Sequence, residues 1–172
     1  QTNLQRYPTK IGVQSTINCI LKSNMPRPLS SEYSSFFSNY IYLTQGNDYN
    51  ELLINHDKTI CDFWTKVPHE KWGFSYSDGK WTVKQLFLHV IDTERILAFR
   101  AFSVARGEVK SLNNFNENEY AKIGTAINRN PESMILEYNY LRKSSNYLFN
   151  SFSNAENKSK GRVADNTISV NA

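Results

Sequence analysis

The sequence predicts an all-α domain. Apolar residues recur at i, i+3, i+4 and i+7 along several long stretches, the spacing of a helix face. Those stretches are bracketed by helix-start and helix-stop signals. With only 7 Gly and 5 Pro among 172 residues, the turn formers of a strand-dense sandwich are scarce. The length suits one domain with a real core and is short for two.

The domain is read as residues 25–172, with residues 1–24 as an N-terminal extension outside it. The first 24 residues show no clear helical or strand period, and Met25-Pro26-Arg27-Pro28 resembles a natural start with a proline-stiffened lead-in. A first helix is expected over Ser31–Thr44, where Tyr33, Phe36, Phe37, Tyr40, Ile41 and Thr44 form one aromatic stripe. Gly46 ends it. A second helix follows over Asp48–Lys66, with Leu52, His56, Ile60, Phe63 and Val67 inward, widened by Leu53 and Trp64. Pro68 stops it. Ser77-Asp78-Gly79 marks a turn, and the aromatics around it should fold back as a lid on the bundle end.

The third helix begins at Thr82-x-x-Gln85, a capping box, and runs to Arg106 before Gly107. Its apolar residues lie nearly all round, the signature of a central helix. Residues 107–129 are a long connection with a helical turn near Glu117–Ala121. A connection of this length is functional or crosses the bundle. Asn130-Pro131-Glu132 then starts a fourth helix, to Phe152, with a capping Asn, Pro at the first position and an acid in the first turn. Residues 153–162 read as a polar loop. Asn166-Thr167 reads as the cap of a further element beginning at Ile168.

Net charge is +4 and the pI is near 9.0. Arg6, Lys10 and Lys22, with no acid before Met25, supply +3 of that total and leave +1 for the rest. A near-neutral domain lacks the electrostatic footprint of a phosphate-backbone binder, so no nucleic-acid partner is expected. Lys158, Lys160 and Arg162 read as a solvated loop. Cys19 and Cys61 are the only cysteines and make no disulfide framework. No apolar run is long enough to span a membrane, and residues 11–21 are too polar for a signal peptide. The expected setting is the cytoplasm, without a membrane partner.

Three histidines are available for chemistry. His69 lies in a loop and reads as a surface residue, and His56 as a core or boundary histidine. His89 sits inside the central helix with Asp92 one turn later on the same face. Burying such a pair costs free energy unless it is hydrogen-bonded or a metal uses it. The spacing alone leaves both readings open, because zinc and similar ions take three or four ligands.

Residues 79–108 resemble the signature helix of the DinB-like (DinB/YfiT) superfamily of metal-dependent enzymes. That family's pattern is matched by Gly79-Lys80-Trp81-Thr82-Val83, by His89, Asp92, Glu94 and Arg95, by Arg100, and by Ala105-Arg106-Gly107. Phe115–Ala121 is similar to its later Phe-Asp-Glu-x-x-Tyr segment. The first two helix stretches also fit, so the match runs through nearly everything after Met25.

The resemblance implies a bacterial protein with an antiparallel four-helix bundle, holding a divalent transition metal, nickel or zinc. It makes His89 the first metal ligand and Asp92 the residue that would orient it. Glu94 points elsewhere and is expected in a salt bridge with Arg95, Arg100 or another helix. Two further histidines, which the family carries on its last helix, have no counterpart here, so the last helix is expected to be missing or incomplete and the chain truncated. The implied function is a metal-dependent hydrolase or thiol-dependent transferase acting on a small molecule, a thiol among the candidates. As a truncated chain it would bind metal weakly, be impaired or inactive, and expose apolar surface that invites homodimerisation. The alternative is a non-enzymatic helical-bundle module in which His89 and Asp92 are a buried structural pair.

Overall fold

A computed structural model describes residues 25–164 and 166–172. The extension read at 1–24, with Cys19, lies outside the described residues. Three long helices dominate: α2 (Tyr49–Thr65), α3 (Val83–Ala105) and α5 (Pro131–Asn150). Shorter pieces are α1 (Ser38–Leu43), α4 (Glu117–Ile123) and α6 (Asn154–Asn157), followed by a hairpin of β1 (Lys160–Val163) and β2 (Asn166–Ser169). The protein is therefore mainly helical, as expected. No helix among the described residues is long and apolar enough to cross a membrane.

The caps of the long helices follow from local chemistry. Asp48 accepts the Glu51 amide at 2.9 Å and starts α2. Thr82 and Gln85 form the reciprocal capping box of α3, with the Thr82 amide donating to Gln85 Oε1 at 2.9 Å. Asn130 accepts the Ser133 amide at 2.9 Å ahead of Pro131 in α5.

Contacts along these helices fix their directions. Trp64, Asp57 and Tyr49 of α2 meet Phe87, Arg142 and Phe149, so α2 runs antiparallel to α3 and α5. Phe87 meets Tyr138, and Glu94 meets Arg142, so α3 and α5 run in the same direction. The long connection carrying α4 makes this possible by crossing back between them.

Packing is layered along α3. Around its first half Trp64, Trp72, Phe87, Leu88, Ile91, Ala126, Met134 and Tyr138 form one buried cluster. Trp64 and Phe87 stack with ring centroids 4.1 Å apart. At its far end Val104, Phe152, Val170 and Met25 form a second. Between the two apolar layers lies an ionic one, built on Glu94 and Arg142.

Three sequence expectations are corrected. The helix read at 31–44 is broken into 3-10 turns at Ser30–Glu32 and Ser35–Phe37 before α1. Glu32 accepts the Leu29 amide at 2.7 Å and Ser34 accepts the Phe36 amide, so local side chains compete with a continuous helix. Its aromatic stripe is only partly covered, with Phe36 and Tyr40 exposed. On α2 the inward face is rotated from the one read, since Ile60 and Phe63 are exposed while Trp64 is buried and Asp57 bonds to α5.

The third correction concerns residues 153–172. Their described residues form α6 and the hairpin rather than a polar loop and the cap of a further element. Gly161 lies so close to Val104 that a Cβ there would meet Val104 Cγ2 at 2.4 Å. Leu112 clasps the hairpin, its amide donating to the Arg162 carbonyl at 2.8 Å and its carbonyl accepting the Ala164 amide at 3.1 Å. Val170 anchors the end of the chain in the second core.

Of the expected lid, Trp72 is buried in the first core, whereas Phe74 and Tyr76 stay at the surface. Phe99 and Phe102 of α3 are also exposed on one side of the central helix, and Leu97 on the other.

Candidate functional site

His89 lies two turns into α3, half-buried. One side of its imidazole is walled by Trp81, whose ring centroid is 5.0 Å away. Thr93, one turn on, places Oγ1 3.4 Å from Nδ1 and 3.5 Å from Nε2. Both distances are beyond a normal hydrogen bond, so the hydroxyl positions the ring without strongly engaging either nitrogen. A ring held in this way keeps a lone pair for an external partner.

Asp92 is half-buried on the same helix. Burial raises its carboxyl above the ordinary value; Arg95 opposes that shift, Glu137 adds to it, and His89 and Arg129 also oppose it. Its ion contact is with Arg95 at 3.9 Å. The structure thus sets His89 and Asp92 on one face, with Thr93 rather than Asp92 as the imidazole's polar neighbour.

The other histidines fall as the sequence suggests. His56 Nε2 accepts the Gln45 amide at 2.9 Å and so ties α2 to the preceding turn. His69 is exposed in the 3-10 turn His69–Lys71. Among the described residues no three His, Cys, Asp or Glu side chains converge on a point that could hold a metal. His89 alone does not fit a complete centre, since such ions take three or four ligands.

The most developed polar constellation lies elsewhere, and the sequence reading missed its extent. Arg142 of α5 grips both Glu94 carboxylate oxygens at 2.6 Å through Nη1 and donates from Nε to Asp57 at 3.2 Å. Asn146 Oδ1 accepts from Tyr49 at 2.7 Å. Glu94 therefore pairs with another helix, one of the partners expected for it. Burial pulls the Arg142 guanidinium down, but the Glu94 charge and hydrogen bonds outweigh it and hold the cation firmly charged. Burial also pushes Tyr138 up to about 12 and Tyr49 higher still. Five residues along a helix rotate a side chain by about 140°, which turns Glu94 away from His89. This cluster is an ionic and hydrogen-bonded strut joining three helices.

Nearer His89, Arg95 and Arg129 both pair with Glu137. Burial raises the Glu137 carboxyl, and the hydrogen bonds and charges of the two arginines overcome that, leaving it below its ordinary value.

The arrangement defines a helical bundle with a single half-buried imidazole on its central helix. It shares its fold with YfiT from Bacillus subtilis, described as "a probable metal-dependent hydrolase with an unusual four-helix bundle topology". The two are 14% identical, the match covers 74% of this chain and 77% of that one, and the TM-score is 0.62. No protein-family model matches the chain, and no curated protein matches it in sequence.

Proposed function

We propose that this chain is a metal-dependent hydrolase or thiol-dependent transferase, a bacterial cytoplasmic protein acting on a small molecule. The observation that carries the reading is His89. It is a half-buried imidazole on the central helix of a YfiT-like bundle, with both ring nitrogens only loosely held. An imidazole suits nickel or zinc. His89 would be one ligand, Trp81 would shield it from bulk water on one side, and the Asp92 carboxylate would tune the local field. With one protein ligand among the described residues, affinity for the metal is expected to be weak. The near-neutral domain is not a nucleic-acid binder, and the exposed Phe99 and Phe102 of α3 favour self-association.

The test is hydrolysis of a panel of activated esters and amides, and thiol transfer to an activated acceptor, with nickel, zinc or EDTA. Weak activity that requires metal and disappears in His89→Ala is the expected result. A rate indifferent to metal and to His89→Ala would overturn it.

The second reading is a non-enzymatic bundle module, favoured by the absence of a convergent ligand set among the described residues. On that reading His89→Ala lowers thermal stability and metal leaves it unchanged.

A further inference from the structure

A hollow of about 440 Å³ opens at the N-terminal end of α3. Its size is that of a small-molecule site. It is lined by the rings of Phe74, Tyr76 and Trp81, by the apolar Leu86, and by the polar side chains of Lys80 and Asn118. Phe74 is 53% exposed and Tyr76 74%, so these rings are displayed rather than packed. Large rings held at the surface around a concavity mark a binding site rather than a core.

The walls are built, not draped. The Val83 amide donates to the Phe74 carbonyl at 3.0 Å, which pins the loop to the first turn of the helix. Ser75 Oγ shares its one proton between the Ser77 and Lys80 carbonyls, 2.7 and 3.0 Å away, closing the turn. Gly79 takes φ +72°, a conformation that side-chain-bearing residues rarely adopt.

The one charged residue lining the hollow is a cation. Lys80 lines it, the Lys71 ammonium sits 5.5 Å from the Phe74 ring centroid, and no Asp or Glu is among the lining residues. Flat apolar walls and a lysine as the one charged lining residue select a flat apolar body bearing an anion.

We propose that this hollow binds a small aromatic carboxylate. Trp81 belongs both to its wall and to the surroundings of His89, and Leu86 precedes His89 by one turn on the same face. A molecule seated there lies against the histidine's shielding ring. That the bound molecule is the substrate rests on the metal-dependent reading above; that the hollow binds it does not.

The test is calorimetric titration of the full chain with 2-naphthoate and with uncharged 2-naphthalenemethanol, both in EDTA. Saturable naphthoate binding is expected, tighter than the alcohol by about fivefold, the upper end for an exposed ion pair. Lys80→Met should bring the two ligands level, and Leu86→Asp and Tyr76→Ser should each abolish saturable binding. These three positions are surface-exposed, so the variants keep the fold. No saturable binding in the unaltered chain, or binding indifferent to Leu86→Asp and Tyr76→Ser, overturns the proposal. Because EDTA is present throughout, loss of the metal reading leaves this result unmoved.

Discussion

Arg142 is the residue on which the middle of the bundle turns. Its side chain is 18% exposed and Glu94 only 12%, so neither charge is well served by water. Arg142→Met should therefore destabilise the protein by about 3–5 kcal/mol, because it strands Glu94 and Asp57 without their cation. Urea unfolding at pH 7 measures this, and adding Glu94→Gln should recover part of the loss. Glu137 offers the pH test. Its folded value lies below its ordinary 4.5, so the unfolded chain takes up its proton first as the solution is acidified. The stability it contributes is present above 4.5 and is lost as pH falls through the folded value. Glu137→Gln should cost about 0.5–1 kcal/mol at pH 7, given partly exposed partners, and progressively less as the pH falls below 4.5. At this scale His89, Asp92 and Glu94 were legible, because polar groups in a helix apolar on most sides stand out. Arg142 and Asp57 were not. Each sits in a helix read mainly from the spacing of apolar residues, where an Asp or Arg is taken to face solvent.

Among the elements, α3 and α5 could be read nearly to the residue because their starts are chemical. Thr82 with Gln85, and Asn130 with Pro131, satisfy amides that a helix otherwise leaves unpaired. Thr82→Ala should cost about 1 kcal/mol, seen as a lowered urea midpoint. The segment before α1 defeated the same method. Periodicity reports a potential face, and here Glu32 and Ser34 close local turns while Phe36 and Tyr40 find no core. The hairpin was hidden for another reason. Its place depends on Gly161 meeting Val104 and on Leu112 clasping the end of β1, contacts between segments far apart in the chain. Gly161→Ala should force it off α3, destabilising by about 1–3 kcal/mol. Faster tryptic cleavage at Lys160 and Arg162 would accompany the change.

For the whole molecule, an ionic layer between two apolar ones explains how a bundle with two like-directed helices keeps its register. Arg142 can reach Glu94 and Asp57 together only in one alignment of α2, α3 and α5. The same alignment sets His89 outside that layer, beside Trp81 and the hollow at the end of α3. The central claim is that this imidazole is where a metal first binds. Paramagnetic nickel titrated into 15N-labelled protein tests it most directly, since line broadening maps even weak binding. The account predicts that the first amide signals lost are those of His89, Thr93 and the Trp81 region, and that His89→Ala abolishes the effect. Broadening that begins at exposed His69 and survives His89→Ala would contradict it.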